Sequence, residues 1–262
     1  MSEEERVDDT VDDAVGAVDS VGAVDGHGGI PDHVLAAFQL EGDTPAATGP
    51  AWGNGARFGR VVVSRAVPTA AWSAKVRERL SVPGLRVSRP VRATDGRFVV
   101  GGFAASDFAE GEVSSRVDEV IAAALAFDEA LAGVPAPSVD RTDRWAEADR
   151  AAWRGAEMPA AARPAHADFF YSCLFSGTLP PLLTDIAPTA EPRPAGYTAA
   201  LALVDGLLAH AVDERVVARW AHIPDLPELA GRALDYREIL DAHEGPNMSS
   251  EIARVRSLLV SA

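Results

Sequence analysis

Residues 166–186 read HADFFYSCLFSGTLPPLLTDI, and the rest of the chain can be interpreted outward from them. Two apolar runs, 169–175 and 181–186, flank a Ser-Gly-Thr sequence that favours a turn, so the pattern predicts a short β-hairpin. Asp168 stands just before the first run, and Asp185 comes near the end of the second. A hairpin returns the chain to its starting point, so we expect the two carboxylates to converge on one pocket.

Two carboxylates in this arrangement suit phosphoryl transfer. One carboxylate orients the attacking hydroxyl, and the second holds the Mg²⁺ that bridges the phosphates. We therefore assign Asp168 as a candidate catalytic residue and Asp185 as a candidate metal ligand. His166 joins the catalytic set because it can brace the loop by packing and hydrogen bonding. The structural alternatives are a loop histidine and a turn-forming or capping aspartate.

The segments before this motif predict a small antiparallel sheet with one main helix. A short opening helix is expected at Pro31, which suits a first helical turn. The Gly-rich residues 49–55 lead into a β-branched strand, and residues 68–80 carry apolar side chains at four-residue spacing, which is typical of a helix. The Asp95-Gly96 pair predicts a second hairpin, between the apolar runs 85–91 and 97–100.

A linker near Ala104–Gly111 precedes a region in which apolar residues recur at helical spacing. Helices are expected over residues 114–133, 142–155, 195–209, 213–221 and 227–243, with a last one from about 248. The chain is therefore predicted to be α+β. Residues 30–106 form a β-rich N-terminal lobe and residues 107–262 a larger, mainly helical C-terminal lobe.

Composition excludes several classes of partner and site. Lys and Arg number 24 against 39 Asp and Glu, giving a net charge of −15 and a pI near 4.8. Nucleic acids and anionic membranes call for clustered bases, so neither is expected as a partner. The single cysteine, Cys173, excludes an intrachain disulfide and a zinc cluster. With no signal-peptide pattern and no apolar run of roughly 20 residues, we expect a cytoplasmic protein.

The negative charge is concentrated at the N-terminus, where residues 1–26 hold nine acids and one base. This segment repeats Val-Asp, Val-Gly and Ala-Val units and contains no aromatic residue. It cannot bury enough apolar surface to offset the entropy lost on ordering. Residues 1–29 are therefore predicted to be a disordered acidic tail, with an acidic docking tail as the alternative.

Several motifs occur in an order that resembles known proteins. They are His166-Ala-Asp168, Leu174-Phe175, Thr184-Asp-Ile-Ala-Pro188 and Arg193-Pro-Ala195. In this order they are similar to a family of uncharacterised actinobacterial proteins of about this size. That family is related to the aminoglycoside phosphotransferase and choline kinase-like group, relatives of the protein kinases. The likeness spans roughly residues 30–260 and implies a protein kinase-like two-lobed fold, with ATP or GTP and Mg²⁺ bound between the lobes.

Carried over residue by residue, the resemblance places Asp168 at the catalytic aspartate and Asp185 at the metal-binding aspartate. Cys173 stands where the kinase-like group has a second metal ligand, an asparagine. A thiol is a poor ligand for Mg²⁺ because hard cations prefer oxygen. The metal site implied by the resemblance is therefore incomplete in this chain.

The nucleotide site implied by the resemblance also lacks a charge. Ser64 falls at the position of the strand lysine that would hold the phosphates. Glu78 falls at the helix acid that would pair with that lysine. Gly53 and Gly55 belong to a glycine-rich stretch that corresponds to a phosphate-covering loop in composition only. These four residues are the candidate nucleotide-binding set.

Three functions follow from these observations. The first is a divergent small-molecule phosphotransferase that moves a phosphoryl group from ATP or GTP to an unknown hydroxyl acceptor. Losing the lysine and the asparagine removes charge stabilisation on which such transfer depends. The second is therefore a catalytically weak or inactive pseudokinase that acts as a binding or regulatory module. The third is a partner-binding subunit whose exposed aromatic residues dock another protein.

Overall fold

The computed structural model of the chain describes residues 29–244 and 248–261. The predicted tail, apart from Gly29, lies outside the described residues. The helices are α1 (Asp32–Phe38), α2 (Ala70–Arg77), α3 (Val117–Ala130), α4 (Arg144–Ala152), α5 (Phe169–Ser172), α6 (Tyr197–Leu208), α7 (Val216–Arg219), α8 (Leu226–Glu244) and α9 (Ser249–Ser261). The strands are β1 (Ala46–Ala47), β2 (Ala56–Phe58), β3 (Val61–Arg65), β4 (Arg86–Val87), β5 (Pro90–Val91), β6 (Val99–Val100), β7 (Phe103–Asp107), β8 (Cys173–Leu174) and β9 (Leu182–Leu183).

A small antiparallel sheet occupies the first part of the chain, which confirms the α+β prediction. Its order is β1-β2-β3-β7-β5, and β6 also pairs with β7. Val63 of β3 lies opposite Ala105 of β7 in the central pair. Because side chains alternate across a strand, Val63, Phe103 and Ala105 share a buried face that packs with α1 in one apolar cluster.

The hairpin predicted around Asp95-Gly96 is wrong in its pairing. The turn forms, since Gly96 N–H donates to Ala93 O at 2.8 Å. However, β5 and β6 do not pair with each other, because each pairs with β7. The tight connection is instead Gly101-Gly102, where both residues have positive φ, 57° and 80°. Glycine adopts that conformation without steric cost, so the nearer partner forms the hairpin.

The hairpin predicted over 169–186 is confirmed only at its centre, where β8 pairs antiparallel with β9. Residues Phe169–Ser172, expected to extend the first strand, form the one-turn helix α5. Phe169 and Phe170 are buried in the core, whereas Tyr171 is partly exposed. Strand β4 joins β9 in parallel and completes a three-stranded sheet. The segment before β5 thus pairs with a hairpin almost a hundred residues further along the chain.

The helices confirm the predicted helical part to within a few residues at each end. Helix α6 lies at its centre, since all twelve of its residues are buried, as expected of a helix that is apolar on every side. A second, larger apolar cluster includes α3, α6 and α8. No helix among the described residues is both long and apolar enough to cross a membrane.

The connection between the sheet and the helices begins later than predicted. Residues 104–107, expected to open the linker, are the second half of β7. The irregular segment starts at Phe108 and pairs at Glu112 with Phe175, whose N–H donates to Glu112 O at 2.9 Å. The polar sequence around residue 107 favoured a linker, but the ladder with β3 extends to Asp107.

Candidate functional site

Asp168 and Asp185 line one cavity of about 340 Å³, as the sequence pattern predicted. The Asp168 side chain is 48% exposed and the Asp185 side chain 49%. Further lining residues come from the segment before α2, the segment around Asp143, and helix α8: Pro68, Arg141, Asp143, Trp145, Tyr236 and Arg237. We call this space the acid-lined cavity. Its volume lies within the range of small-molecule sites, roughly 300–1,000 Å³.

His166 connects the backbones of the two acidic positions. Its Nδ1 accepts a hydrogen bond from Asp168 N–H at 3.0 Å, which leaves the proton on Nε2. Nε2 lies 3.0 Å from Asp185 O, the acceptor of that proton's hydrogen bond. The side chain is fully buried, and burial lowers the pKa of His166 to about 4. His166 is therefore a neutral positioning residue that does not line the cavity.

A buried polar network supports the histidine loop from behind. His166 N–H donates to Thr198 Oγ1 at 3.1 Å, and the Thr198 hydroxyl donates to Asp128 Oδ1. Asp128 Oδ2 also accepts from Gly196 N–H at 2.9 Å. Burial raises the pKa of Asp128 to about 7, against the opposing effect of these hydrogen bonds. Helices α3 and α6 are thereby joined to the loop that carries Asp168.

Asp168 is held less tightly than its neighbours. Its Oδ1 lies 3.6 Å from Arg237 Nη2, whereas Arg237 binds the buried Asp205 through two short contacts of 2.6 and 2.5 Å. Partial burial raises the pKa of Asp168 to about 6; the Arg237 charge lowers it and the Asp205 charge raises it. Arg237 is already neutralised by Asp205, so Asp168 remains available to a ligand in the cavity.

Asp185 is fastened to helix α2. Its Oδ1 accepts from Ser73 Oγ at 2.5 Å and from Ile186 N–H at 2.8 Å, and it lies 3.2 Å from Arg77 Nε. Hydrogen bonds to a charged group are short and strong. One carboxylate oxygen is therefore engaged by two side chains of α2, the helix in which a partner for the nucleotide site was expected.

Arg77 is the buried cation of the site, only 4% exposed. Nη1 donates to Ser88 O at 2.9 Å, to Thr184 O at 3.1 Å and to Ser106 Oγ at 3.2 Å. Burial lowers the pKa of Arg77, and the Asp185 charge opposes that shift. The guanidinium thus links α2, the sheet and the strand that leads to Asp185.

Two of the four predicted nucleotide-binding residues, Gly53 and Ser64, line a second, much smaller space of about 110 Å³. Gly53, Ser64, Arg77 and Asp185 line it, and we call it the glycine-strand cleft. Gly55 packs directly on β3, because a Cβ built on it would lie 2.4 Å from Val63 O. The glycine stretch therefore lies against the strand instead of standing away from it.

Aromatic contacts hold Trp52, which lines the cleft, against the segment after β7. Trp52, which precedes Gly53, places its ring 5.3 Å from the ring of Phe108 at the start of the connection. The Arg57 guanidinium stacks 4.0 Å from the same Phe108 ring. Tilted aromatic pairs and cation–π contacts of this kind are stabilising. They connect the glycine stretch to the segment that follows β7.

The glycine-strand cleft is small for a Mg²⁺–nucleotide. The cleft holds about 110 Å³, well under the roughly 300 Å³ at which small-molecule sites begin. Ser64 supplies no charge and Arg77 donates its hydrogen bonds to protein acceptors, whereas Arg65 lines the cleft with its guanidinium 5.2 Å from the centre of the Phe103 ring. Cys173 is buried in β8, where desolvation raises the pKa of its thiol to about 12. Among the described residues, no group of three or more His, Cys, Asp or Glu side chains is placed to hold a metal ion.

Glu78 lines neither the acid-lined cavity nor the glycine-strand cleft. Its carboxylate binds Arg92 through contacts of 2.7 and 2.9 Å on the outer surface. That pair lowers the pKa of Glu78, chiefly through the hydrogen bond to Arg92. Helix α2 ends at Arg77, and Glu78 faces the segment after β5 instead of β3.

Sequence reasoning missed Ser73, Arg77 and Arg237. Ser73 and Arg77 are four residues apart on α2, which places them on one helix face, and that spacing was the available signal. An arginine is rarely fully buried without a partner, so nothing local marked Arg77 as internal. Its acceptors come from residues 88, 106, 184 and 185, which the sequence does not place together.

No protein-family model and no curated protein matches this chain.

Proposed function

We propose that this chain is a kinase-like binding module of the pseudokinase kind, and that the acid-lined cavity takes a small polar organic ligand. The main support is that Asp185 is already bound by helix α2. Its Oδ1 lies 2.5 Å from Ser73 Oγ and 3.2 Å from Arg77 Nε. A metal-binding aspartate needs its oxygens for the ion. Here Oδ1 already serves an ion pair with the buried Arg77, which leaves only Oδ2 for an ion.

The small volume of the glycine-strand cleft supports the same proposal. Opening it would require Gly53 and Gly55 to separate from β3 and Trp52 to leave Phe108. Arg77 would also have to release the Ser88 and Thr184 carbonyls, and a buried acceptor left without its donor costs about 1–3 kcal/mol. A nucleotide would have to compensate for these losses from its own binding energy.

The chemistry of the acid-lined cavity defines the class of ligand. Asp168 and Asp185 present carboxylate oxygens, which accept hydrogen bonds only. Trp145, 47% exposed, offers an apolar face beside them. The matching ligand carries hydroxyl or ammonium donors on a compact carbon skeleton. Arg141 and Arg237 do not reverse this preference, because they are bound to Asp143 and Asp205.

Ligand-observed NMR tests this proposal, using polyols, amino alcohols and aminosugars as probes. We expect at least one probe class to bind the wild-type chain and Asp168→Asn to weaken it about 10- to 100-fold, since hydrogen bonds to a charged group contribute about 1.5–3 kcal/mol. The control is Asp95→Asn, which changes an exposed turn residue that is not among those lining the cavity. It should bind the probes as the wild type does. Binding that is equal in Asp168→Asn and the wild type, or no binding at all, would overturn the proposal.

The second candidate is a slow phosphotransferase, and one observation favours it. Asp168 borders the cavity with a pKa of about 6, which suits a group that accepts a proton from a hydroxyl near neutral pH. This candidate requires Mg²⁺–nucleotide binding, whereas the binding-module proposal requires none.

A further inference from the structure

A large apolar groove lies on the side of α2 away from Asp185. It has a volume of about 750 Å³ and runs between α2 and the segment after α3. Trp72, Val76 and Leu80 form one wall, and Val134, Pro135 and Val139 form the other. Trp72 Nε1–H donates to Pro135 O at 2.9 Å and ties the two walls together. We call this surface the α2 groove.

The charge of the α2 groove is opposite to that of the chain. Within residues 29–244 and 248–261, the only charged residues that line it are Lys75 and Arg79, and no acid lines it, although the chain carries a net charge of −15. Both side chains are exposed. Neither has an acidic partner within 4.0 Å among the described residues. The groove is thus apolar along its length and positive at its rim.

We propose that the α2 groove binds the chain's own N-terminal segment, residues 7–24. This segment carries valines at positions 7, 11, 15, 18, 21 and 24. One apolar residue every three or four positions is the pattern by which a segment lays one face into an apolar groove. Asp8, Asp9, Asp12, Asp13 and Asp19 lie between the valines and match the basic rim.

The segment is tethered close to the described part of the chain. Residues 25–28 connect Val24 to Gly29, where the described part begins. Fully extended, that connection spans up to about 17 Å, at roughly 3.3 Å per residue. Val24 must therefore enter the groove at the end nearer to Gly29. A tether also favours the intramolecular contact over binding to a second molecule.

Such binding would place the segment on the helix that holds Asp185. Ser73 and Arg77 lie on one side of α2, while Trp72, Val76 and Lys75 line the groove on the other. The acidic segment would then cover a surface that is otherwise open to other acidic, apolar segments. This inference does not depend on the ligand of the acid-lined cavity.

Amide hydrogen exchange on the full chain tests the proposal, with a synthetic peptide of residues 1–28 as the unbound reference. We expect amides within residues 7–24 to exchange at least about tenfold slower in the chain than in the peptide. The double variant Lys75→Glu/Arg79→Glu should lose this protection. Arg60→Glu/Arg215→Glu makes the same charge change at exposed sites outside the groove and should retain it. Val11→Ser/Val15→Ser should lose it as well.

Three results would overturn the proposal. The first is exchange in residues 7–24 that equals that of the free peptide, and the second is protection that survives Lys75→Glu/Arg79→Glu. The third is protection that rises with protein concentration, because it would assign the segment to the groove of a second copy. Loss of protection in the groove and valine variants but not in Arg60→Glu/Arg215→Glu, at every concentration, supports the intramolecular contact.

Discussion

Arg77 is the residue on which the site depends most. It is almost fully buried, contacts Asp185 at 3.2 Å and donates to the Ser88 and Thr184 carbonyls. The resemblance placed the missing positive charge at Ser64, on the strand. The structure supplies a cation from helix α2 instead, and uses it to hold Asp185 in place. A buried cation with several acceptors is costly to remove because each acceptor loses its donor.

Arg77→Met should therefore lower the free energy of unfolding by about 2–4 kcal/mol, since it leaves buried carbonyls without donors. Urea denaturation measures the change. Lys75→Met, at an exposed position on the same helix, is the control and should stay within about 0.5 kcal/mol of the wild type. Equal stability of Arg77→Met and the wild type would contradict the structural role given to Arg77.

The raised pKa of Asp168 makes the free energy of unfolding depend on pH. Its pKa is about 6 in the folded chain and about 3.9 when unfolded. Between these values the folded state binds more protons than the unfolded state, so this group lowers stability as the pH rises towards 6. Asp168→Asn removes the effect. Between about pH 5 and pH 8 the variant should gain about 1 kcal/mol relative to the wild type, a modest value because the carboxylate is half-exposed.

The comparison must be made between the two proteins at each pH, by urea denaturation. His166, whose pKa is lowered to about 4, contributes stability that rises with pH up to about 6.5 and acts on both proteins alike. A constant difference between wild type and Asp168→Asn across this range would contradict the raised pKa of Asp168.

The Gly-rich residues 49–55 are packed against the sheet as a fixed part of it. Gly55 lies so close to β3 that a Cβ would meet Val63 O at 2.4 Å and Ser64 Cβ at 2.9 Å. Thr48 also binds Gly55 O through its N–H and its hydroxyl, both at 2.9 Å. A loop that closes over phosphates must be able to move at Gly55. The observed packing instead holds Gly55 against β3.

Gly55→Ala should therefore destabilise the chain by about 2–3 kcal/mol, as overpacking against a backbone atom does. Gly49→Ala is the matched control. Its φ is −85° and no atom lies within 4 Å of a built Cβ, so it should be neutral or stabilising by up to about 1 kcal/mol. Thermal unfolding of both variants checks this, and equal midpoints would show that Gly55 is free of β3.

Sequence periodicity predicted most elements but not their partners. The α2, α3, α6 and α8 helices and strand β3 follow directly from apolar spacing. The partner of β5 could not be predicted, because pairing with β7 depends on tertiary geometry that the Asp-Gly turn does not encode. Strand β4 likewise pairs with β9 across almost a hundred residues. The Asp168 and Asp185 positions were predicted because the hairpin between them is local.

At the scale of the molecule, the apolar residues form two clusters, one under the small sheet and one among the helices. The acid-lined cavity and the glycine-strand cleft share Asp185. Their sizes differ threefold, and only the larger matches a small-molecule site. The acid-lined cavity is thus the larger of two adjoining spaces, and the glycine-strand cleft is the smaller. Cavity volume is a property of packing, which no sequence motif encodes.

We expect that Asp185 and the glycine-strand cleft do not take a Mg²⁺–nucleotide. Thermal unfolding with ATP, GTP and ADP, each with and without Mg²⁺, tests it on the wild type and on Asp185→Ala. A nucleotide at about a hundred times its dissociation constant would stabilise the chain by about 2.7 kcal/mol, which is a rise in Tm of roughly 5–10 °C. We predict no Mg²⁺-dependent rise with any nucleotide. A rise that requires Mg²⁺ and disappears in Asp185→Ala would contradict the claim and favour a working phosphotransferase.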